Sequence, residues 1–159
     1  MTEKYKLTER YIERLGVKLF QIQALVAFGT VVAGELGGYI QSEECLSHYG
    51  NAWVSGNARV SGNAQVSGDA QVYGDARVFK RNAIFWASVV GAENGTLTVT
   101  SGKNGLVVTR GCFTGTKEEF LSASAAKHNE KIQREYRLLI EVAESRIEQH
   151  KAPEPTTAD

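Results

Sequence analysis

The chain has 159 residues, of which 18 are basic and 18 acidic, so its formal net charge is zero. A neutral chain has no global field that would draw it to duplex nucleic acid or to an anionic membrane, and its apolar stretches are too short to span a bilayer. Two widely spaced cysteines, Cys45 and Cys112, match no metal-ligand spacing and fit a reducing compartment in a chain without a signal peptide. We therefore expect a soluble intracellular protein with no metal and no cofactor.

The N-terminal section, residues 1–37, is predicted to be a β cap. Its clearest element is the alternating stretch from Val17 to Gln23, which has the side-chain period of a strand. An uncovered end of the repeat that follows would expose unpaired backbone groups and apolar side chains. We expect the cap to cover that end.

Residues 50–79 consist of five consecutive hexapeptides, GNAWVS, GNARVS, GNAQVS, GDAQVY and GDARVF. The Ala and the Val of each copy are two positions apart, so both point to the same side of a short extended segment. The Gly-Asn or Gly-Asp pair suits a corner, because these residues tolerate positive φ. Three corners close one turn of about eighteen residues, and a six-residue period of this kind is typical of a parallel β-helix.

The same spacing continues more weakly on both sides of the five copies. We therefore predict a mainly β fold in which residues 38–95 form a parallel β-helix of about three turns. On this spacing Ile40 and Leu46 take Ala positions, and His48, Ile84 and Val90 take Val positions.

Side chains eighteen positions apart should stack on the outer face of such a structure. Arg59 and Arg77 then lie one above the other, with their guanidinium groups about 5 Å apart. Two such cations repel each other unless an anion lies between them, and Arg is well shaped to bind a phosphate or a carboxylate. Alternatively, both side chains extend into solvent or pair with Asp75 or with acidic groups of a neighbouring subunit.

Outward aromatic side chains form the second part of the candidate site. They become more frequent toward the C-terminal end of the repeat, where the helices or another subunit must cover them. A crevice with Arg and aromatic walls suits an anionic nucleotide, because the base can stack while the phosphate pairs. The candidate ligand-binding residues are Arg59, Arg77, Tyr73, Trp53, Phe79 and Trp86.

Three segments follow the repeat. Residues 96–114 are predicted to form a β-hairpin with a Gly-rich loop. Residues 115–151 are predicted to form two α-helices, the first opened by a capping box of Thr116 and Glu119 and the second carrying one apolar stripe. The last segment, APEPTTAD over residues 152–159, has the composition of a disordered tail.

Two further stretches resemble a known group of proteins. The lead-in LFQIQALVAFGTVVAGELGGYIQSEECLSHYGNAWV and the run RGCFTGTKEEFLSASAAKH followed by EYRLLIEVAESRI, together with the hexapeptides, resemble small hexapeptide-repeat proteins encoded by bacteriophages and prophages. The resemblance covers nearly the whole chain before the tail. It implies a left-handed β-helix, a homo-oligomer that is usually a trimer, and a protein that works in the cytoplasm of a host bacterium.

The resemblance leaves three classes of function open. The first is a non-enzymatic phage accessory protein that antagonises host defence, either by sequestering a nucleotide-type immune signal in inter-subunit pockets or by occluding a host defence protein. The second is a hexapeptide-repeat acyltransferase, in which His48 would be the general base. The third is a structural spacer associated with the virion. We expect the first, because the sequence contains no convincing catalytic set.

Overall fold

The computed structural model describes residues 3–147, which form a mainly β structure with two α-helices. In chain order the elements are β1 (Tyr5–Arg14), β2 (Val17–Ala24), β3 (Leu36–Ile40), β4 (Trp53–Val54), β5 (Arg59–Val60), β6 (Gln71–Val72), β7 (Arg77–Val78), β8 (Ile84–Val90), β9 (Gly95–Thr100), β10 (Val107–Arg110), β11 (Phe113–Gly115), α1 (Lys117–Lys127) and α2 (Glu130–Ile147). Short 3₁₀ turns lie at Glu43–Cys45 and Arg81–Ala83. The end predicted for the second helix and the predicted tail lie outside the described residues.

The interior of the repeat is built as its sequence predicts. The Ala and the Val of every hexapeptide are at most 1% exposed and belong to one apolar core. Burying a Val side chain stabilises the fold by roughly 1.5–3 kcal/mol. The predicted inward face is therefore confirmed at Ala52, Val54, Ala58, Val60, Ala64, Val66, Ala70, Val72, Ala76 and Val78.

Parallel backbone pairing joins hexapeptides that are three copies apart. β4 pairs with β6, which places Trp53 beside Gln71, and β5 pairs with β7, which places Arg59 beside Arg77. In each pair the two residues are 18 positions apart in the chain. The predicted 18-position register of the two arginines is therefore confirmed.

Before the first hexapeptide, paired residues are 20 positions apart in the chain and not 18. The Ala and Val positions that the sequence predicted for Ile40, Leu46 and His48 are therefore wrong. β3 runs parallel to β5 with Tyr39 beside Arg59. Ile40 and Leu46 each lie beside a Val of the repeat, so they take Val positions and not Ala positions. The offset falls from 20 to 18 positions between Leu46 and Gly50, so this segment, which contains His48, is two residues longer than the matching part of the repeat. This insertion removes His48 from the Val position predicted for it.

The repeat ends near Ile84 and does not continue to residue 95 as predicted. Ile84 is 8% exposed and still packs into the core of the repeat, but β8 then runs antiparallel to β9. Val90 consequently packs against the C-terminal core and not in a further Val position. No Gly-Asn or Gly-Asp corner follows Phe79, so the chain lacks the sequence that would begin another parallel segment.

The N-terminal cap is a hairpin of β1 and β2, and β2 also pairs antiparallel with β3. One five-stranded sheet, in the order β1-β2-β3-β5-β7, therefore joins the cap to the repeat. The sequence indicated β2 but not β1, because charged side chains interrupt the alternation in YKLTERYIER. Tyr5 and Phe28 of the cap pack edge-on against Trp53 and cover the first hexapeptide.

The C-terminal region contains a four-stranded antiparallel sheet in the order β11-β10-β9-β8, and the predicted hairpin is its central pair. Leu97 and Val99 on one face share a core with α1 and α2. Threonines alternate with these residues and point to the other face. There the backbone N–H of Gln71 donates a 3.0 Å hydrogen bond to Thr98 Oγ1. The sheet thus packs between the helices and the repeat.

The loop between β9 and β10 closes the edge of the five-stranded sheet. The backbone N–H of Arg77 donates to the carbonyl of Ser101 at 2.8 Å, and the N–H of Lys103 donates to the carbonyl of Asp75 at 3.0 Å. A covered edge cannot pair with a strand of another chain. This loop also brings Lys103 next to the stacked arginines.

The helices begin as the sequence predicts. Thr116 and Glu119 form both hydrogen bonds of the capping box at the start of α1, and α2 begins at Glu130. Tyr136 and Ile140 of α2 are buried against the C-terminal sheet. Within residues 3–147 no helix is long and apolar enough to cross a bilayer.

The 20-position offset can be tested by cross-linking in a chain carrying Cys45→Ala and Cys112→Ser. Oxidation should join Tyr39→Cys to Arg59→Cys, because residues in register on neighbouring strands are roughly 5 Å apart and disulfides span Cα distances of about 4.4–6.8 Å. The matched pair Gln41→Cys with Arg59→Cys, which an 18-position offset would align, should remain reduced. Mass spectrometry without reductant distinguishes the two, and the opposite pattern would restore the 18-position assignment.

Candidate functional site

Arg59 and Arg77 line a cleft of about 230 Å³ on the outer face of the five-stranded sheet. We call it the arginine cleft, and define it by Ile12, Tyr39, Asn57, Arg59, Asp75, Arg77 and Lys103. Its walls come from three parts of the chain, because Ile12 belongs to the cap, the arginines to the repeat and Lys103 to the loop after β9. The cleft therefore forms only when all three are folded together.

Arg77 is a buried cation, with 5% of its surface exposed. Its Nη1 donates hydrogen bonds of 3.0 Å to the carbonyls of Asn57 and Ala76. Taking a charge out of water is costly unless polar or oppositely charged groups replace the lost hydration. Backbone carbonyls supply partial negative charge, and a bound anion would supply a full one.

The charges that line the arginine cleft are predominantly positive. Among the residues of the cleft that the structure describes, Arg59, Arg77 and Lys103 contribute three cations and Asp75 contributes one carboxylate. Arg59 is half-buried and Lys103 is exposed, so the positive charge reaches from the floor of the cleft to solvent. Guanidinium groups bind carboxylates and phosphates through paired hydrogen bonds. The arrangement therefore favours an anionic group.

Trp53 does not belong to this site. It is 1% exposed and its ring lies 5.3 Å from that of Phe28 and 6.5 Å from that of Tyr5, both edge-on. The prediction that Trp53 offers an outward stacking surface is therefore wrong. Its side chain does point away from the buried Val side chains of the hexapeptides, but the N-terminal cap covers it.

The other three predicted aromatic residues are half-buried, and within the described chain none lines the arginine cleft. The Tyr73 hydroxyl donates a 2.6 Å hydrogen bond to Gln71 Oε1, and burial raises the pKa of Tyr73. Trp86 packs beside Gly68, and Phe79 occupies the corner after β7. The structure thus separates these side chains from the two arginines that the sequence grouped with them.

Tyr39 is the aromatic residue among the described residues of the arginine cleft, and the sequence pattern did not indicate it. It lies beside Arg59 in the register of β3 and β5. An 18-position offset would have placed Gln41 there instead, so the two-residue insertion concealed Tyr39. The sequence GGYI at residues 37–40 could have indicated Tyr39 only if the 20-position offset had been known.

His48 is held by contacts on both ring nitrogens. Nδ1 accepts a 3.0 Å hydrogen bond from the backbone N–H of Lys4, so Nε2 carries the proton and donates to a Glu43 carboxylate oxygen at 2.8 Å. The ring also stacks on Tyr5 with 4.1 Å between centroids. A general base needs a free nitrogen facing the substrate. These contacts instead give His48 a role in fixing the cap to the repeat.

Lys4 completes the same junction. It is 3% exposed, and its Nζ donates to the carbonyls of Ala52 at 2.8 Å and Gly50 at 3.3 Å. The ammonium also lies 4.8 Å from the centre of the Phe28 ring. Burial lowers the pKa of Lys4 to about 8. Lys4 therefore stabilises the junction most when it is neutral.

Comparison with known proteins supports the assignment of the hexapeptides to a β-solenoid repeat. Residues 52–68 and 70–80 match a family model described as the YdcK beta solenoid repeat. The match covers most of the hexapeptide segment and places this part of the chain among β-solenoid repeats. No curated protein matches the chain. Among residues 3–147, no group of three His, Cys, Asp or Glu side chains is arranged to hold a metal ion.

The pKa of Lys4 predicts how the stability of the cap junction depends on pH. Between about 8 and 10.5 the unfolded chain keeps a proton that the folded chain has lost, so the free energy of unfolding should rise with pH in this window. Urea unfolding measured from pH 7.5 to 9.5 should show the rise in the parent chain and not in Lys4→Met. Burial raises the pKa of Tyr5, which leaves its hydroxyl protonated across this range. An equal rise in both proteins would contradict the assignment.

Proposed function

We propose that this chain is a non-enzymatic binding protein that holds an anionic group, a phosphate or a carboxylate, in the arginine cleft. The observation that carries the proposal is the pairing of Arg59 with Arg77 in register on adjacent strands, with Arg77 buried and Lys103 beside it. The strand register places the two arginines side by side, and the hydrogen bonds of Arg77 Nη1 hold its guanidinium in place before any ligand arrives. Such preorganisation lowers the entropic cost of binding.

The size of the cleft limits the part of a ligand that it holds. About 230 Å³ is below the range of about 300–1,000 Å³ typical of small-molecule pockets. A nucleotide-type ligand would place one phosphate in the cleft and leave its base outside, against Tyr39 or against a neighbouring subunit. Burial of Trp53 removes the base-stacking wall that the sequence suggested.

The wider biological setting belongs to the same proposal. We infer a left-handed β-helix of about three turns, a homotrimer, and a phage or prophage accessory protein that antagonises host defence in the bacterial cytoplasm. The β-solenoid match and the 18-position register support the scaffold, and the resemblance in sequence supports the origin. In this setting the anion is a nucleotide-type immune signal, or an acidic surface of a host defence protein.

The two alternatives have less support. For an acyltransferase, His48 is the residue that would act as the base, and its nitrogens contact Lys4 and Glu43. For a structural spacer, the covered ends of the repeat are compatible, but this role does not need a buried Arg77 in a cleft. The binding function is favoured because it uses the positive charge that Arg59, Arg77 and Lys103 bring to one cleft.

The proposal predicts that inorganic phosphate binds the parent chain and binds Arg59→Gln about tenfold or more weakly, since charge-assisted hydrogen bonds contribute about 1.5–3 kcal/mol. Arg59 is half-buried and can be changed with less risk to folding than Arg77. Isothermal titration at low ionic strength measures the affinity, because screening weakens it at high salt. Arg81→Gln is the matched control, since Arg81 is exposed and lies outside the cleft.

Two further measurements complete this test. Lys103→Gln should weaken phosphate binding less than Arg59→Gln, because Lys103 is exposed and its charge is better screened. A thermal-shift screen with cyclic di- and trinucleotides then asks whether the ligand is a nucleotide. Equal phosphate affinity in the parent chain and Arg59→Gln would refute the cleft as an anion site.

A further inference from the structure

We propose that a second cavity, on a different side of the repeat, binds a neutral polyhydroxylated ligand of the size of a monosaccharide unit. This cavity, which we call the polar pocket, has a volume of about 290 Å³. It lies where the loop at Gly29–Val31, the corners at Asn51 and Asp69, and the C-terminal sheet at Thr96 and Gly111 meet. The volume is at the lower limit of small-molecule pockets.

The floor of the polar pocket is a fixed hydrogen-bond network. Gln71 Nε2 donates to the carbonyls of Asn51 at 3.0 Å and Asp69 at 3.1 Å. Gln71 Oε1 accepts from the Tyr73 hydroxyl at 2.6 Å. Both amide protons of Gln71 are used, so its orientation is determined. Tyr73 is consequently held in one position before a ligand arrives.

The rim of the polar pocket carries side chains with capacity for further hydrogen bonds. Asn51 and Asp69 occupy the same corner position in hexapeptides that are 18 positions apart, and the N–H of Asn51 donates to the carbonyl of Gly68 at 3.1 Å. Both side chains are exposed. An amide offers donors and an acceptor, and a carboxylate offers two acceptors. Vicinal hydroxyl groups of a sugar need such a mixture.

The charge of the polar pocket excludes the ligand proposed for the arginine cleft. The described residues that line it include Asp69 and no Lys, Arg or His. A phosphate would therefore meet a carboxylate and no compensating cation. An organic cation is less suited, because one exposed carboxylate beside neutral groups gives little net attraction.

A saccharide fits the shape and composition of the polar pocket better than a nucleobase does. Tyr73 is the single aromatic residue among the described residues that line it, whereas a base is usually held by stacking in a narrow slot. A pyranose ring has an apolar C–H face for one aromatic ring and hydroxyl groups at its edge for polar side chains. Gly29 and Gly111 add backbone surfaces that the ligand can approach closely, and space beside Gly111 is open.

The test is a ¹⁵N-¹H NMR titration of the full chain with D-glucose, D-galactose and N-acetyl-D-glucosamine as separate probes. We expect at least one of them to shift the amide signals of Gly29, Gln71 and Gly111, with a dissociation constant on the order of 1 mM. Asp69→Asn should weaken this binding about tenfold, because a charge-assisted acceptor is lost. The corner should remain folded, since Asn occupies the same position in three of the hexapeptides.

Asp75→Asn is the matched control, because Asp75 has the same position in the next hexapeptide but lines the arginine cleft. It should leave the sugar affinity unchanged. Arg59→Gln should also leave it unchanged, so a failure of the anion site and a failure of the polar pocket give different results. Three outcomes would overturn the proposal: no shift with any sugar up to about 50 mM, equal affinity in Asp69→Asn, or shifts of the same amides by adenosine or spermidine and not by the sugars.

Discussion

The fold depends on parallel hydrogen bonding between short segments whose Ala and Val side chains are buried together. Each segment is only two residues long in β4, β5, β6 and β7, too short to be stable as an isolated pair. Stacking makes them stable, because each Val of a paired segment is covered by the Val of its neighbour and backbone hydrogen bonds join the two, as from the N–H of Arg59 to the carbonyl of Ala76. A polar group in this column would have no partner. The small corner residues follow from the same requirement, since a Cβ on Gly50 would lie 2.6 Å from the carbonyl oxygen of Gly68.

A stacked repeat has two open ends, and most of the remaining chain covers them. The N-terminal hairpin extends one sheet of the repeat antiparallel, and the C-terminal sheet places a loop along the opposite edge. Both covers are attached by polar contacts as well as by apolar packing, as shown by Lys4 with Ala52 and by Gln71 with Thr98. Because these contacts are local, the covers can differ in architecture from the repeat that they close.

The two cavities lie at the junctions between the repeat and its covers, and they have opposite electrostatic character. A regular stack presents nearly flat outer faces, so a concave surface arises where a differently folded part meets it. At the arginine cleft the meeting residues are cationic, with Lys103 delivered by the C-terminal loop. At the polar pocket they are neutral apart from Asp69. One scaffold can in this way offer two ligand chemistries without any change in its interior.

The sequence by itself determined the features that depend on short-range periodicity: the buried Ala and Val columns, the stacking of Arg59 on Arg77, and the capping box at Thr116. It did not determine which segments pair across an irregular connection, so the 20-position offset of Tyr39 and the strand β1 were missed. Nor could it show that Trp53 is covered by Phe28, or that Lys103 reaches the arginines. Periodicity specifies the face on which a side chain lies, because that depends on its near neighbours in the chain. What covers that face is decided by contacts between residues far apart in sequence, and these exist only in the tertiary structure.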